Sequence, residues 1–258
     1  MFWRDDTLLG IAPVEVIDDT LVFIADERVT DRCDIICDPS CTEEIIAAFA
    51  SMIVHDDLGV RLFPVEEDSP LAQLLPANVQ DMQVEHSDVC PFIRLPGSWD
   101  GYLDSISGKL RHELRRKLRK ADATTSATLT GKDITALFDL MAASDQNKKR
   151  FLSPEMRDFF KTVAASFELL GWLRLRGTYL SDALISILFS FQFQGTVYLY
   201  NSGFDPKTAH LSPGIVSICR DIQEAIEAGI THYDFLRGGE KYKYRFGAER
   251  RNTVRLVR

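Results

Sequence analysis

The stretches of this 258-residue sequence best equipped for chemistry are an Asp inside an apolar run, a helix start suited to anions, and a leucine-striped basic rod. Asp234 sits between Tyr233 and Phe235, where a carboxylate is costly unless it is paired or put to use. Gly238 and Gly239 follow and permit an unusual backbone turn. In an extended continuation, Lys241, Lys243 and Arg245 share one face, while Tyr242, Tyr244 and Phe246 share the other. That alternation suits an anionic, partly flat ligand, and it equally suits a strand whose charged face is solvated.

The second stretch runs from Tyr198 through Ser202-Gly-Phe-Asp-Pro206 to Leu211-Ser-Pro-Gly214. Ser212 has the side chain of an N-cap, Pro213 fits the first helical position, and Gly214 removes bulk beside it. Free N–H groups at such a terminus, with the helix dipole behind them, can seat a phosphate. A plain, well-capped helix would look the same.

The third stretch, 109–120, carries seven basic residues against Glu113, with Leu110, Leu114 and Leu118 forming a single apolar stripe. The rod has no aromatic residue to stack on bases. A solvated face or an acceptor groove therefore accounts for it better than nucleic acid does. No Cys–His or Ser–His arrangement is recognisable: Cys219 falls mid-helix and His232 has no evident partner.

The elements that must position these groups read as mixed α/β. Apolar runs at 7–16 and 21–24 flank Asp18-Asp19, a hairpin signal, and 33–37 and 59–65 read as further strands. Thr42 is expected to cap a helix reaching residue 54, and Ser69-Pro70 to start a short one. Leu95-Pro-Gly-Ser98 marks the expected boundary between a 1–95 half and a 96–258 domain. Helices follow at 99–106, 107–121, 134–143 and 154–170, with a polar loop at 144–150. Strands at 172–179, 184–193 and 196–201 form a meander, the last pair joined at Gln194-Gly195. A helix at 213–228 and strands at 233–236 and 253–257 complete the chain.

Net charge is −8, yet 237–258 holds eight basic residues against Glu240 and Glu249. Two cationic islands on an acidic body point to a locally held anion, and no DNA-binding coat is expected. No apolar run reaches the roughly 20 residues of a membrane span, and 1–10 lacks a signal-peptide core, so a cytoplasmic protein is expected. Cys33, Cys37 and Cys41 are spaced by four, but Pro39 breaks a common helical face, and no metal site is expected.

Taken in order, Ser98-Trp99, the basic leucine helix, Ser-Gly-Phe-Asp-Pro, Leu-Ser-Pro-Gly and Tyr-Asp-Phe-Leu-Arg-Gly-x-Glu-x-Tyr-Lys-x-Arg-Phe-Gly resemble the CelD-like acetyltransferases. These belong to the acyl-CoA N-acyltransferase (GNAT) superfamily, are associated with cellulose and exopolysaccharide production, and are akin to FemAB/FemX transferases. The resemblance covers the chain from about Pro96 onward; Leu9-Gly-Ile-Ala-Pro13 and 31–39 are similar to the first of two GNAT-like halves. Relatives carry an aromatic-rich helical segment before that strand, so the first half is expected to be incomplete. The glycine-rich acyl-CoA signature is absent, as it is in the CelD-like proteins that the sequence resembles.

The resemblance implies transfer of an acetyl or other acyl group from acyl-CoA to an amine or hydroxyl of a small or sugar-linked acceptor. Tyr198 and Ser202 would lie along the pantetheine arm, and Leu211, Ser212, Gly214 and Ile215 would hold the pyrophosphate. By chemistry, Asp234 first and Glu240 second would accept the proton, and Tyr200, Tyr242 or Tyr244 would protonate the leaving thiolate. Arg115, Arg116 and Arg119, with Arg237, Lys241 and Lys243, would bind phosphate groups. The alternatives are a FemX-type transferase using aminoacyl-tRNA and a non-catalytic GNAT-like scaffold.

Overall fold

The computed structural model describes residues 1–24 and 27–258. The chain divides into two compact units interleaved in sequence: Met1–Cys90 with Arg237–Gly239 and Arg250–Arg258, and Pro91–Leu236 with Glu240–Glu249.

In the first unit, β1 (Phe2–Arg4), β2 (Thr7–Ile11), β3 (Val14–Ile17), β4 (Thr20–Phe23) and β5 (Ile36–Cys37) precede α1 (Thr42–His55). Then come β6 (Gly59–Glu66), α2 (Pro70–Asn78) and β7 (Gln83–Val89). Asp18 and Asp19 both take positive φ, 46° and 57°, and join β3 to β4 as the sequence predicts. One sheet runs β1-β2-β5; the other runs β3-β4-β6, then the C-terminal strand Asn252–Val257, then β7. Ile45, Phe49 and Ile53 of α1 and Leu71 and Leu75 of α2 share a core with Leu62, Val65, Val254 and Leu256. Two local expectations differ. Thr42 is the first helical residue, and its hydroxyl donates to the Pro39 carbonyl instead of capping. The 33–37 strand shrinks to two residues.

The C-terminal strand was expected within the 96–258 domain. It is found instead between β6 and β7, because its alternating Val254 and Leu256 complete the first unit's core.

The second unit contains β8 (Phe92–Arg94), α3 (Trp99–Ser105), α4 (Gly108–Lys120), β9 (Thr124–Leu129), α5 (Ile134–Ser144), α6 (Gln146–Phe151) and α7 (Pro154–Leu169). They are followed by β10 (Leu173–Leu180), β11 (Ala183–Phe193), β12 (Thr196–Phe204), α8 (Pro213–Glu227) and β13 (His232–Asp234). The sheet order is β8-β13-β12-β11-β10-β9, antiparallel except for the β12–β13 pair, which α8 connects. Residues of α3, α4 and α8 pack on one face through Leu103, Leu114, Ile222, Leu188 and Leu199. On the other face, Phe160 of α7 meets Phe189 and Tyr200.

Two irregularities of β12 create the site. First, β13 pairs only with residues 196–198, so β12 continues alone past that point on this edge. Second, Ser190 opposes Leu199 while Phe189 opposes Asn201, leaving Tyr200 as an extra, bulged residue. The bulge exchanges the faces. Before it, Val197 and Leu199 point to α8, and the bulged Tyr200 itself packs on α7. After it, Gly203 faces α5, and Ser202 and Phe204 turn toward the start of α8. At Gly203 a Cβ would lie 2.4 Å from the Met141 nitrogen, so only glycine allows α5 this close.

Candidate active site

A cavity of about 480 Å³ opens where β12 leaves β13, within the size range of small-ligand sites. Its walls are Ser202 and Phe204 of β12, Ala209, Ser212, Pro213, Gly214, Ile215 and Ile218 at the start of α8, Ser144, Asp145 and Lys148 at the α5–α6 junction, and Glu240 with Tyr242.

The start of α8 differs from the expected cap. Ser212 sits in the left-handed region (φ 56°), and its side chain caps nothing. Its carbonyl accepts from Ile215 at 3.0 Å and Val216 at 3.1 Å, and its hydroxyl accepts from Lys117 Nζ at 2.8 Å. Pro213 has no N–H, and no acceptor among the described residues takes the Gly214 N–H. A Cβ at Gly214 would meet only Phe204 Cδ1, at 3.8 Å, so the glycine leaves space on the cavity side. One free amide at a helix start, with a lysine beside it, can attract an anion. Burial lowers the Lys117 pKa against the pull of Glu113.

The opposite wall was expected as a polar loop and is α6. Asp145 caps it by accepting from Asn147 and Lys148 N–H at 2.6 and 3.2 Å. The cap turns Lys148 inward, where its ammonium donates to the Ser202 carbonyl at 2.6 Å. Burial lowers the Lys148 pKa, opposed by Asp145 and Glu240. Asp145 followed by three helix-compatible polar residues was the available signal for this cation. The absence of any apolar period hid it.

The 237–247 stretch is not extended. Lys243–Phe246 forms a 3-10 turn, so the expected lysine and tyrosine faces do not exist. Asp234 is buried and accepts the Leu236 N–H at 2.7 Å. Lys243, 3% exposed, donates to the Leu236 carbonyl at 3.2 Å and pairs with Glu240 at 2.9 Å. Both groups thus fasten the left-handed Leu236 (φ 55°), and of the acids in this stretch it is Glu240 that reaches the cavity. Burial, and then the Glu240 carboxylate, raise the Tyr242 pKa, which keeps the phenol protonated.

The remaining candidates lie elsewhere. Tyr200 is packed among Phe160, Phe189 and Phe191. Tyr198 and Leu211 are half-buried, and neither lines the cavity; nor does Tyr244. Arg237 belongs to the first unit, where its N–H donates to Asp31 at 3.1 Å and its guanidinium holds the Glu27 carbonyl and covers the Phe63 ring. Arg115, Arg116, Arg119 and Lys241 are exposed. Of the sequence-predicted residues, the cavity therefore gathers Ser202, Ser212, Gly214, Ile215, Glu240 and Tyr242. Cys33, Cys37 and Cys41 are free thiols, and among the described residues no cluster of three or more metal-ligating side chains occurs. No helix of the described residues is long and apolar enough to cross a membrane.

Residues 108–244, more than half the chain and including the bulged strand and the helix start in front of it, match the acetyltransferase (GNAT) domain family. The chain belongs to that family, within the GNAT-type acyltransferase superfamily. Among solved structures it is similar to FemX (TM-score 0.69, 12% identity, 99% of this chain and 86% of that one). It is also similar to L-PGS from Bacillus licheniformis (0.62, 11%, 95% and 79%). A third is the C-terminal domain of a putative lysylphosphatidylglycerol synthetase from Agrobacterium fabrum (0.61, 9%, 95% and 79%). At these identities the likeness is one of fold. No curated protein matches the sequence.

Proposed function

We propose that this chain transfers an acetyl or other acyl group from acyl-CoA to an amine or hydroxyl of a small or sugar-linked acceptor, in the manner of the CelD-like proteins of polysaccharide production. The single observation that carries this reading is the cavity at the β12–β13 divergence, with the unclaimed Gly214 N–H at one end and the Glu240 carboxylate in its wall. The Gly214 amide and the α8 dipole would take a phosphate of the donor, with Lys117 and the exposed arginines of α4 adding positive charge. The open edge of β12 would flank the pantetheine arm. Glu240 would accept the proton of the attacking acceptor, and Tyr242 would donate a hydrogen bond to the departing thiolate. The acceptor attacks the thioester directly.

Calorimetry and thermal denaturation with acetyl-CoA, longer acyl-CoAs and free CoA test the reading. A ligand at 100 times its Kd should add about 2.7 kcal/mol of stability. Failure of every acyl-CoA to bind would sink it.

A second reading, use of an aminoacyl-tRNA donor, draws support from the similarity to FemX across both units and from the exposed Arg115, Arg116 and Arg119. It requires RNA binding that weakens steeply with salt, and charge reversal on α4 would abolish that binding.

A further inference from the structure

We propose that Lys148 is a self-acylation site, the amine of the protein itself that takes the acyl group when no acceptor fills the cavity. Among the described residues that line the cavity, Lys148 is the one amine. Its Nζ lies 2.6 Å from the carbonyl oxygen of Ser202, on the bulged strand that the acyl-CoA reading sets along the donor arm. The inference rests on that reading. The amine is anchored: α6 is capped by Asp145, and the hydrogen bond to Ser202 holds the side chain across the cavity rather than in solvent. Such fixed placement is what turns an ordinary lysine into an effective intramolecular nucleophile. Burial favours its neutral, nucleophilic form, while Asp145 and Glu240 oppose that trend and supply carboxylates to receive the proton.

In the step, neutral Nζ attacks the thioester carbonyl carbon, the C–N bond forms and the C–S bond breaks. CoA leaves as the thiolate and takes up the proton released by the new amide, directly or by way of Glu240. The products are an Nε-acyl-lysine and free CoA, with no other reactant. The modified side chain loses its charge and carries the acyl group into the cavity, so the acylated protein would turn over more slowly.

The test is incubation of the intact protein with acetyl-CoA, followed by whole-protein and peptide mass spectrometry, with binding measured separately by calorimetry. The expected result is a single acetyl increment per chain, located on Lys148, absent from Lys148→Arg and retained in Lys149→Arg. Lys148→Arg keeps the charge, and its melting curve reports whether it folds. Binding of acetyl-CoA without modification of Lys148 would overturn the inference while leaving the acyl-CoA reading intact. Equal labelling of Lys148 and Lys149, or of urea-unfolded protein, would overturn it as random chemistry. Absence of binding would remove both.

Discussion

Asp234 and Lys243 hold the two polar groups of the same residue, Leu236: the carboxylate accepts its N–H at 2.7 Å and the ammonium donates to its carbonyl at 3.2 Å. Leu236 has φ 55°, a conformation costly for a side chain of its size. The carboxylate in an apolar strand thus has a backbone donor to accept from. Asp234→Asn keeps a side-chain oxygen for the Leu236 N–H, so turnover is expected to persist. Asp234→Ala leaves a buried donor unmet and should cost about 1–3 kcal/mol. Urea denaturation and steady-state rates on both variants check this; loss of turnover in a folded Asp234→Asn protein would return Asp234 to the reaction.

Gly214 separates two roles that glycine can play. Its backbone does not need positive φ, and a Cβ would meet only Phe204 at 3.8 Å. Gly214→Ala should therefore hold or raise stability, by up to about 1 kcal/mol. Gly214→Phe sends a ring into the cavity and should weaken acetyl-CoA binding by about tenfold or more, equivalent to at least roughly 1.4 kcal/mol. Calorimetry with a melting curve on each variant distinguishes the effects. Undiminished binding by Gly214→Phe would place the donor elsewhere.

Local signals carried much of this architecture. Asp18-Asp19 and Gln194-Gly195 both form turns with positive φ, and Ser69 and Ser98 cap the helices they precede. What stayed hidden was set by tertiary pairing. β9 is a polar edge strand, Thr124–Leu129, whose pattern carries no apolar alternation. The bulge at Tyr200 breaks the period of β12, so the strand was expected to stop at residue 201 although it runs to Phe204. The same bulge decides which side chains reach the cavity. The turn at Leu236 ended the extended path on which the Lys241–Arg245 face depended.

Asp221 of α8 is 2% exposed and accepts from Arg174 Nε at 2.7 Å and from the Tyr233 hydroxyl at 2.8 Å. It joins the helix behind the cavity to β10 and β13. Burial and the Asp221 carboxylate raise the Tyr233 pKa, so the phenol remains a donor. Asp221→Ala removes the buried carboxylate from Arg174 and the Tyr233 hydroxyl, leaving Arg174 with Glu224 at 3.7 Å and the Asp221 main-chain carbonyl at 3.3 Å, and should destabilise the protein by about 3–5 kcal/mol. A urea midpoint unchanged from the wild type would show that the network carries no such energy.

Lys148 provides a pH signature independent of catalysis. Its folded-state pKa is lowered from 10.5, chiefly by burial. Between the lowered value and 10.5 the unfolded chain therefore binds more protons than the folded one, and stability rises with pH across that window. Below the window the lysine is protonated in both states, so the full cost of burying its charge is present and the dependence is flat. Lys148→Gln can still donate to the Ser202 carbonyl but does not titrate. The stability difference, wild type minus variant, should therefore climb as pH rises toward 10.5 and stay constant at lower pH, with the tyrosines common to both proteins cancelling. Urea unfolding of the pair through the alkaline range measures it. A difference that falls with pH would mean that the Asp145 and Glu240 carboxylates outweigh burial at this ammonium.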